Sequence, residues 1–179
     1  MKEATIVGVS GYGGGELVRL LLRHPNVKLT QVLGDSAAGK PLSASFAGLH
    51  GTAVGNLVIA PKSTPVTGEI VFLAQDNGYS TGVAGALLAE GRTVIDLAAD
   101  FRLKDSAAWT HFYKLPVPEE SLRAQSVYGL PERHREQLKG AKLIGNPGCN
   151  STAAILALAP LVEAGIIETT PVIVDVKLL

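Results

Sequence analysis

The chain has 179 residues, 46% of them hydrophobic and 18% charged, which is enough for one good-sized core and too little for two full domains. Its 16 basic and 16 acidic residues cancel, so no net field gathers nucleic acid or an anionic membrane, and a small metabolite is the expected partner. The opening MKEATIVGVSG has no apolar run behind a basic start, no window reaches the roughly 18 apolar residues of a membrane span, and a cytoplasmic protein is expected. One cysteine excludes an internal disulfide, and no Cys/His group has zinc-ligand spacing, so no metal is expected.

Short runs rich in Val, Ile and Leu alternate with longer helical patterns, which predicts an α/β fold: a Rossmann-like domain with a mostly parallel sheet and crossover helices. The first strand is read over 4–9, the first helix over 16–23 before His24 and Pro25, and the second strand over 27–33. Residues 34–68, dense in Gly, Ser and Pro, read as loop with short strands and no helix. Strands over 69–74 and 93–96 flank a helix over 79–90. The segment 100–126 reads as an irregular excursion with one short helix, carrying Phe101, Trp109, Phe112 and Tyr113. A helical turn over 131–137, a strand over 142–144, an Ala-rich helix over 149–163 and a strand beginning at 171–177 complete the order. Repeats, low-complexity stretches and flexible linkers are not visible in the sequence.

Gly8, Gly11 and Gly14 stand three apart between a strand and a helix, where the backbone must turn sharply and approach a ligand closely. The helix N-terminus behind them offers unpaired N–H groups and a positive dipole end to a pyrophosphate. The spacing GxxGxxG differs from the standard GxGxxG, so a generic turn in a non-nucleotide domain is the competing reading. Ser10 can add a hydroxyl to a phosphate, and Tyr12 can flank a cofactor or simply pack. The second strand runs into Gly34, Asp35 and Ser36, about where an adenosine ribose is met. A carboxylate there accepts from a ribose diol and repels a 2′-phosphate, which favours NAD over NADP; the competing reading makes Asp35 a turn or cap residue. Lys40 is read as the only nearby cation.

Asn146, Pro147, Gly148 and Cys149 close a strand and open a helix, which places the thiol at a helix N-terminus. The dipole and free N–H groups there lower a thiol pKa and can hold the oxyanion formed when a thiolate attacks a carbonyl. Asn150, Ser151 and Thr152 are possible donors in the first turn. Against this stands the usual fate of a lone cysteine, a small buried hydrophobe. His24, His50, His111 and His134 read as surface or capping residues, and none sits in a signature of a general base.

With these pieces placed, the chain resembles N-acetyl-γ-glutamyl-phosphate reductase, within the wider aspartate-semialdehyde dehydrogenase superfamily. The likeness rests on GVSGYGGGELVRLLLRHP at 8–25, VIDLAADFRL at 94–103, YGLPE at 128–132 and GNPGCNSTAAILAL at 145–158. It implies NADPH-dependent reduction of an acyl phosphate in arginine biosynthesis through a Cys149 thioester. On that resemblance Gly8, Ser10, Gly11, Tyr12, Gly13, Gly14, Asp35 and Ser36 hold the cofactor, with Asn146 and Pro147 near its nicotinamide end. It divides the chain into a nucleotide-binding domain at 1–148 and the beginning of a catalytic and dimerisation domain at 149–179, and implies a homo-oligomer for the full-length protein.

The sequence departs from the family at four points. Gln75, Asp76, Asn77 and Gly78 replace a Leu-Pro-His-Gly loop, and Asp35 stands where an arginine often meets the 2′-phosphate, so NAD stays open beside NADP. Asn150, Ser151 and Thr152 follow the cysteine where Tyr-Pro-Thr is common. That variant is similar to the reductase of the aminoadipate route to lysine, whose substrate rides on a carrier protein. The family also continues beyond the equivalent of Lys177 with a substrate domain that holds a histidine general base. The expectation is therefore an incomplete site that does not turn over substrate alone, with a non-catalytic nucleotide-binding module as the alternative.

Overall fold

The computed structural model describes residues 1–177. Six strands form one sheet: β1 (Lys2–Val7), β2 (Val27–Leu33), β3 (Ile70–Leu73), β4 (Thr93–Asp96), β5 (Val127–Tyr128) and β6 (Leu143–Gly145). Their order is β2-β1-β3-β4-β6-β5, and every pairing between them is parallel. The α/β, Rossmann-like expectation is met.

Alternation along the strands explains the layering, because successive side chains of a strand face opposite sides of the sheet. Ala4 and Ile6 of β1, with Ile70 and Phe72 of β3, pack on one face beneath α1 (Tyr12–Leu21) through Val18 and Leu21. Val7, Val71 and Leu73 point the other way, where α3 (Tyr79–Ala89) covers them with Ala84 and Leu87. A short helix α2 (Leu42–Ser45) and two single 3-10 turns fill out the segment after β2, for which the sequence predicts no helix. Their brevity hides them from any periodicity argument.

Two further readings need correction. The excursion after β4 holds two helices rather than one, α4 (Ser106–Tyr113) and α5 (Glu120–Gln125), and ends in β5, a two-residue strand without a sequence signal. Asp105 caps α4 by accepting from the Ala108 N–H at 2.8 Å. Trp109 anchors the excursion: it is fully buried, stacks on Tyr113 with ring centroids 4.4 Å apart, and donates from Nε1 to the carbonyls of Leu115 and Pro116. After α6 (Pro131–Leu138) and α7 (Cys149–Glu163), residues 171–177 do not form the expected strand. A strand exists only through a ladder, and among the described residues this apolar run has no neighbouring strand to pair with. No helix among the described residues is long and apolar enough to cross a membrane.

Candidate active site

The chain passes from β1 to β2 on one side and then returns to place β3 on the other side of β1. Open α/β sheets bind ligands in the crevice beyond the carboxyl ends of the strands at such a reversal. A cavity of about 550 Å³ lies there, bounded by Gly8, Ser10, Gly11, Tyr12 and Gly13 of the glycine turn. Asp35 and Ser36 after β2 close one side, and Ala74, Gln75, Asp76 and Leu97 the other.

The glycines do different work. Gly8 follows β1 with φ at +94°, and a Cβ there would stand 2.1 Å from the Ala74 carbonyl oxygen, so the turn and the close approach of the chain after β3 both demand glycine. At Gly14 a Cβ would meet the Gly8 carbonyl oxygen at 2.4 Å and Val9 Cα at 2.6 Å, so a glycine there lets the start of α1 pack against the turn after β1. Gly14 is buried and does not bound the cavity, so the contact it makes in this structure is a packing one. Gly11 is different again: the nearest atom to a Cβ placed on it is 3.7 Å away. It is the N-cap residue of α1 and leaves the first-turn N–H groups without a side-chain cap beside the cavity. The helix starts at Tyr12, four residues before the predicted start, because three consecutive glycines of low helix propensity form its first turn.

Asp35 is not a cap or turn residue alone. Its Oδ1 accepts from the Lys62 backbone N–H at 2.9 Å, and its Oδ2 lies 3.1 Å from Lys62 Nζ. The backbone bond, then the ammonium, hold this exposed carboxyl below its ordinary pKa. Lys62, also on the cavity wall, corrects the reading of Lys40 as the nearby cation. An isolated parallel bridge between Leu33 and Ala60 carries residues 60–62 alongside the end of β2, a placement without a local sequence signal.

Cys149 occupies the first position of α7 and is exposed, which removes the reading of it as a buried hydrophobe. The N-cap Gly148 offers no side-chain cap. Its carbonyl oxygen accepts from the hydroxyls of Ser151 and Thr152, both at 2.9 Å, so those groups brace the turn. The thiol lies 3.6 Å from Asn150 Oδ1, and no histidine is hydrogen-bonded to it among the described residues. Asn146, Pro147 and Cys149 do not bound the 550 Å³ cavity. Both turns nevertheless sit at the carboxyl edge of the sheet. Three strand spacings separate β1 from β6, or roughly 14 Å across the sheet, a distance that an extended dinucleotide bridges.

Arg102, which the residue pattern did not single out, links the two turns. Its Nε donates to the Asn146 carbonyl at 2.7 Å and its Nη2 to the Leu97 carbonyl at 2.6 Å, while the Leu97 side chain lies against Gly13. Replacing Arg102 with Met is expected to loosen the cysteine turn and strand two half-buried acceptors, at a cost of about 1 kcal/mol. Faster hydrogen exchange at residues 146–150 than elsewhere in the sheet is the expected readout; uniform exchange would argue against a positioning role. The arginine was legible only as part of VIDLAADFRL.

Beneath this edge lies Asp96, fully buried, with Oδ1 accepting from Ser80 Oγ at 2.5 Å and from the Ala98 N–H at 3.1 Å. Its Oδ2 has no partner among the described residues. Burial pushes its pKa up to about 6, against the Ser80 hydrogen bond and with help from Asp100 nearby. No group of three His, Cys, Asp or Glu side chains able to hold a metal occurs among the described residues.

A parallel nucleotide-binding sheet with a glycine turn at its reversal and an exposed cysteine at the same edge defines a class, and the comparisons agree. Residues 3–141 match the family described as semialdehyde dehydrogenase, NAD binding domain, and the chain belongs to that family. Within it, the chain is similar to N-acetyl-gamma-glutamyl-phosphate reductases. It is 45% identical over 175 residues to that of Synechocystis sp., covering 96% of this chain and 49% of the relative. It is 45% identical over 178 residues to that of Thiobacillus denitrificans, covering 99% and 52%. Among solved structures, aspartate semialdehyde dehydrogenase II of Vibrio cholerae, complexed with ASA, aligns with a TM-score of 0.65 at 19% identity, over 92% of this chain and 47% of that one. The aspartate semialdehyde dehydrogenase of Candida albicans, solved with NADP, gives 0.60 at 20% identity over the same shares, and both establish the fold alone. The chain spans about half the length of the curated relatives it matches.

Proposed function

We propose that the chain carries the nucleotide-binding and nucleophile-bearing part of an N-acetyl-γ-glutamyl-phosphate reductase, with NADP as the dinucleotide and a small acyl phosphate as substrate. The observation that carries this reading is an exposed cysteine at the uncapped start of a 15-residue helix, on the same sheet edge as a glycine turn open to a cavity. That turn fits a dinucleotide because Gly11 keeps the cavity floor free of a Cβ beside the uncapped start of α1.

In the proposed reaction the Cys149 thiolate attacks the acyl carbon, the carbon–oxygen bond to phosphate breaks, and inorganic phosphate leaves with its electron pair. The N–H groups of the first turn of α7 hold the transient oxyanion. The dinucleotide, when bound, supplies the hydride that takes the thioester to the aldehyde level. A general base for the cysteine is not provided by His24, His50, His111 or His134 and is assigned to the part of the relatives that this chain does not span. Under the proposal, residues 1–148 form the nucleotide-binding domain and 149–179 begin the catalytic and dimerisation domain; α7, which has no buried residue, supports that division. The full-length protein is then a homo-oligomer.

Iodoacetamide at neutral pH is expected to label Cys149 faster than free cysteine, and an added acyl phosphate is expected to protect it and leave a thioester mass on the chain. A slow, unprotected thiol alongside intact dinucleotide binding would identify a nucleotide-binding module instead.

A further inference from the structure

The inference here rests on the reading of the 550 Å³ cavity as a dinucleotide site. We infer that Lys62 determines which dinucleotide enters, by letting the site accept a 2′-phosphate in spite of Asp35. A carboxylate at the end of the second strand of such a sheet ordinarily takes the ribose diol and repels a phosphate there. Asp35 stands in that place, and Asp76 adds a second carboxylate to the cavity wall. A carboxylate facing a phosphate dianion at the ribose end favours the unphosphorylated cofactor. Lys62 is the one Lys or Arg among the described residues that bounds the cavity, and it changes the balance.

The lysine holds Asp35 in two separable ways. Its backbone N–H reaches Oδ1 at 2.9 Å, and its ammonium reaches Oδ2 at 3.1 Å. The first bond fixes the carboxylate whatever the side chain does. The ammonium, on a flexible four-carbon stem, is free to turn toward an incoming phosphate without releasing Asp35 from the backbone. Alternative partners are already within reach: Gln75 Oε1 lies 3.5 Å from Nζ, and the Tyr79 ring centroid 5.6 Å. The side chain is about one-third exposed, 31%, so it is neither locked in the core nor fully hydrated. With a diol ribose the pair stays closed and Asp35 accepts the hydroxyls; with a phosphorylated ribose the ammonium pairs with the phosphate.

Titrating the chain with NADPH and NADH by nicotinamide fluorescence tests this without any turnover. Lys62→Met is expected to weaken NADPH by about tenfold or more and NADH by less than about threefold, the difference a charge-assisted bond makes. Lys62→Arg is expected to restore NADPH, and Asp35→Asn in the Lys62→Met background to recover part of it. The wild-type NADPH affinity should also fall more steeply with salt than the NADH affinity, and Lys62→Met should erase the difference. Equal losses for both cofactors, or no loss, would overturn the assignment, with thermal melts checking that each variant folds. Failure of the wild-type chain to bind either cofactor would instead remove the dinucleotide reading itself, and the inference with it.

Discussion

Gly8→Ala is expected to lower the melting temperature by about 6–20 °C, whereas Gly11→Ala is expected to stay within about 4 °C of wild type, at 2–4 °C per kcal/mol for a chain of this size. The two substitutions add the same methyl group three residues apart. At Gly8 it enters a backbone with φ at +94° and would lie 2.1 Å from the Ala74 carbonyl oxygen, so either β1 or β3 must move. Left-handed strain plus displaced backbone in a packed sheet adds to about 3–5 kcal/mol. At Gly11 the backbone, with φ at −82° and ψ at 169°, is one that alanine adopts freely, and the nearest atom is 3.7 Å from the new methyl. Its fold cost is about 1 kcal/mol or less, the preference of an N-cap for glycine over alanine. Its expected loss is instead in dinucleotide affinity, by about tenfold, because the methyl occupies the floor that a pyrophosphate must approach. Calorimetry and a binding titration on the two variants separate these effects; equal melting temperatures would show that the contact between the ends of β1 and β3 tolerates a side chain.

Asp96 gives the second large effect. Its pKa of about 6 in the folded chain lies above its unfolded value of 3.8, so the folded state holds a proton that the unfolded state has released. The group's contribution is complete below the unfolded value and is lost as pH rises through the folded one, between about pH 4 and 6. The loss is roughly 3 kcal/mol, or about 6–12 °C in melting temperature. The cause is burial, with an oxygen that finds no partner and with Asp100 close by, only partly offset by Ser80 and the Ala98 N–H. Asp96→Asn keeps an acceptor for Ser80 and removes the charge. Melts from pH 4.5 to 8 are expected to fall for wild type relative to the Asn variant as pH rises, and parallel curves would contradict the assignment. The exposed Asp35 has the opposite tendency, its pKa being lowered, and it is present in both proteins, so the comparison isolates Asp96.

The residues readable in advance were those whose role is local. β2, β4 and α7 begin and end at the predicted residues because their apolar runs are long relative to their flanks and their boundaries carry Gly, Pro or Asp signals. Cys149 and the glycine turn were visible because a strand-to-helix junction is a feature of neighbouring residues. What stayed hidden was non-local. Lys62 meets Asp35 across 27 positions through a single bridge at Leu33 and Ala60. Arg102 reaches Asn146 across 44. Gly14 shares the spacing of Gly8 and Gly11, yet the space a Cβ would need there is taken by Gly8 and Val9, which the spacing does not reveal. The missed helix of the excursion shows a different limit, since α5 has six residues with a single buried one, Leu122, too few turns for any periodicity to register.

The sheet order has a consequence for the way the chain is made. β1 is the first strand to emerge in synthesis, yet it lies inside the sheet, paired with both β2 and β3. Its second neighbour, ending at Leu73, follows about 3–13 s later at elongation rates of roughly 5–20 residues per second. During that interval Ala4, Ile6 and Val7, all buried in the finished protein, belong to an open edge. A nascent chain arrested between β2 and β3 is therefore the form expected to need a chaperone, and adding β3 is the step that retires that need.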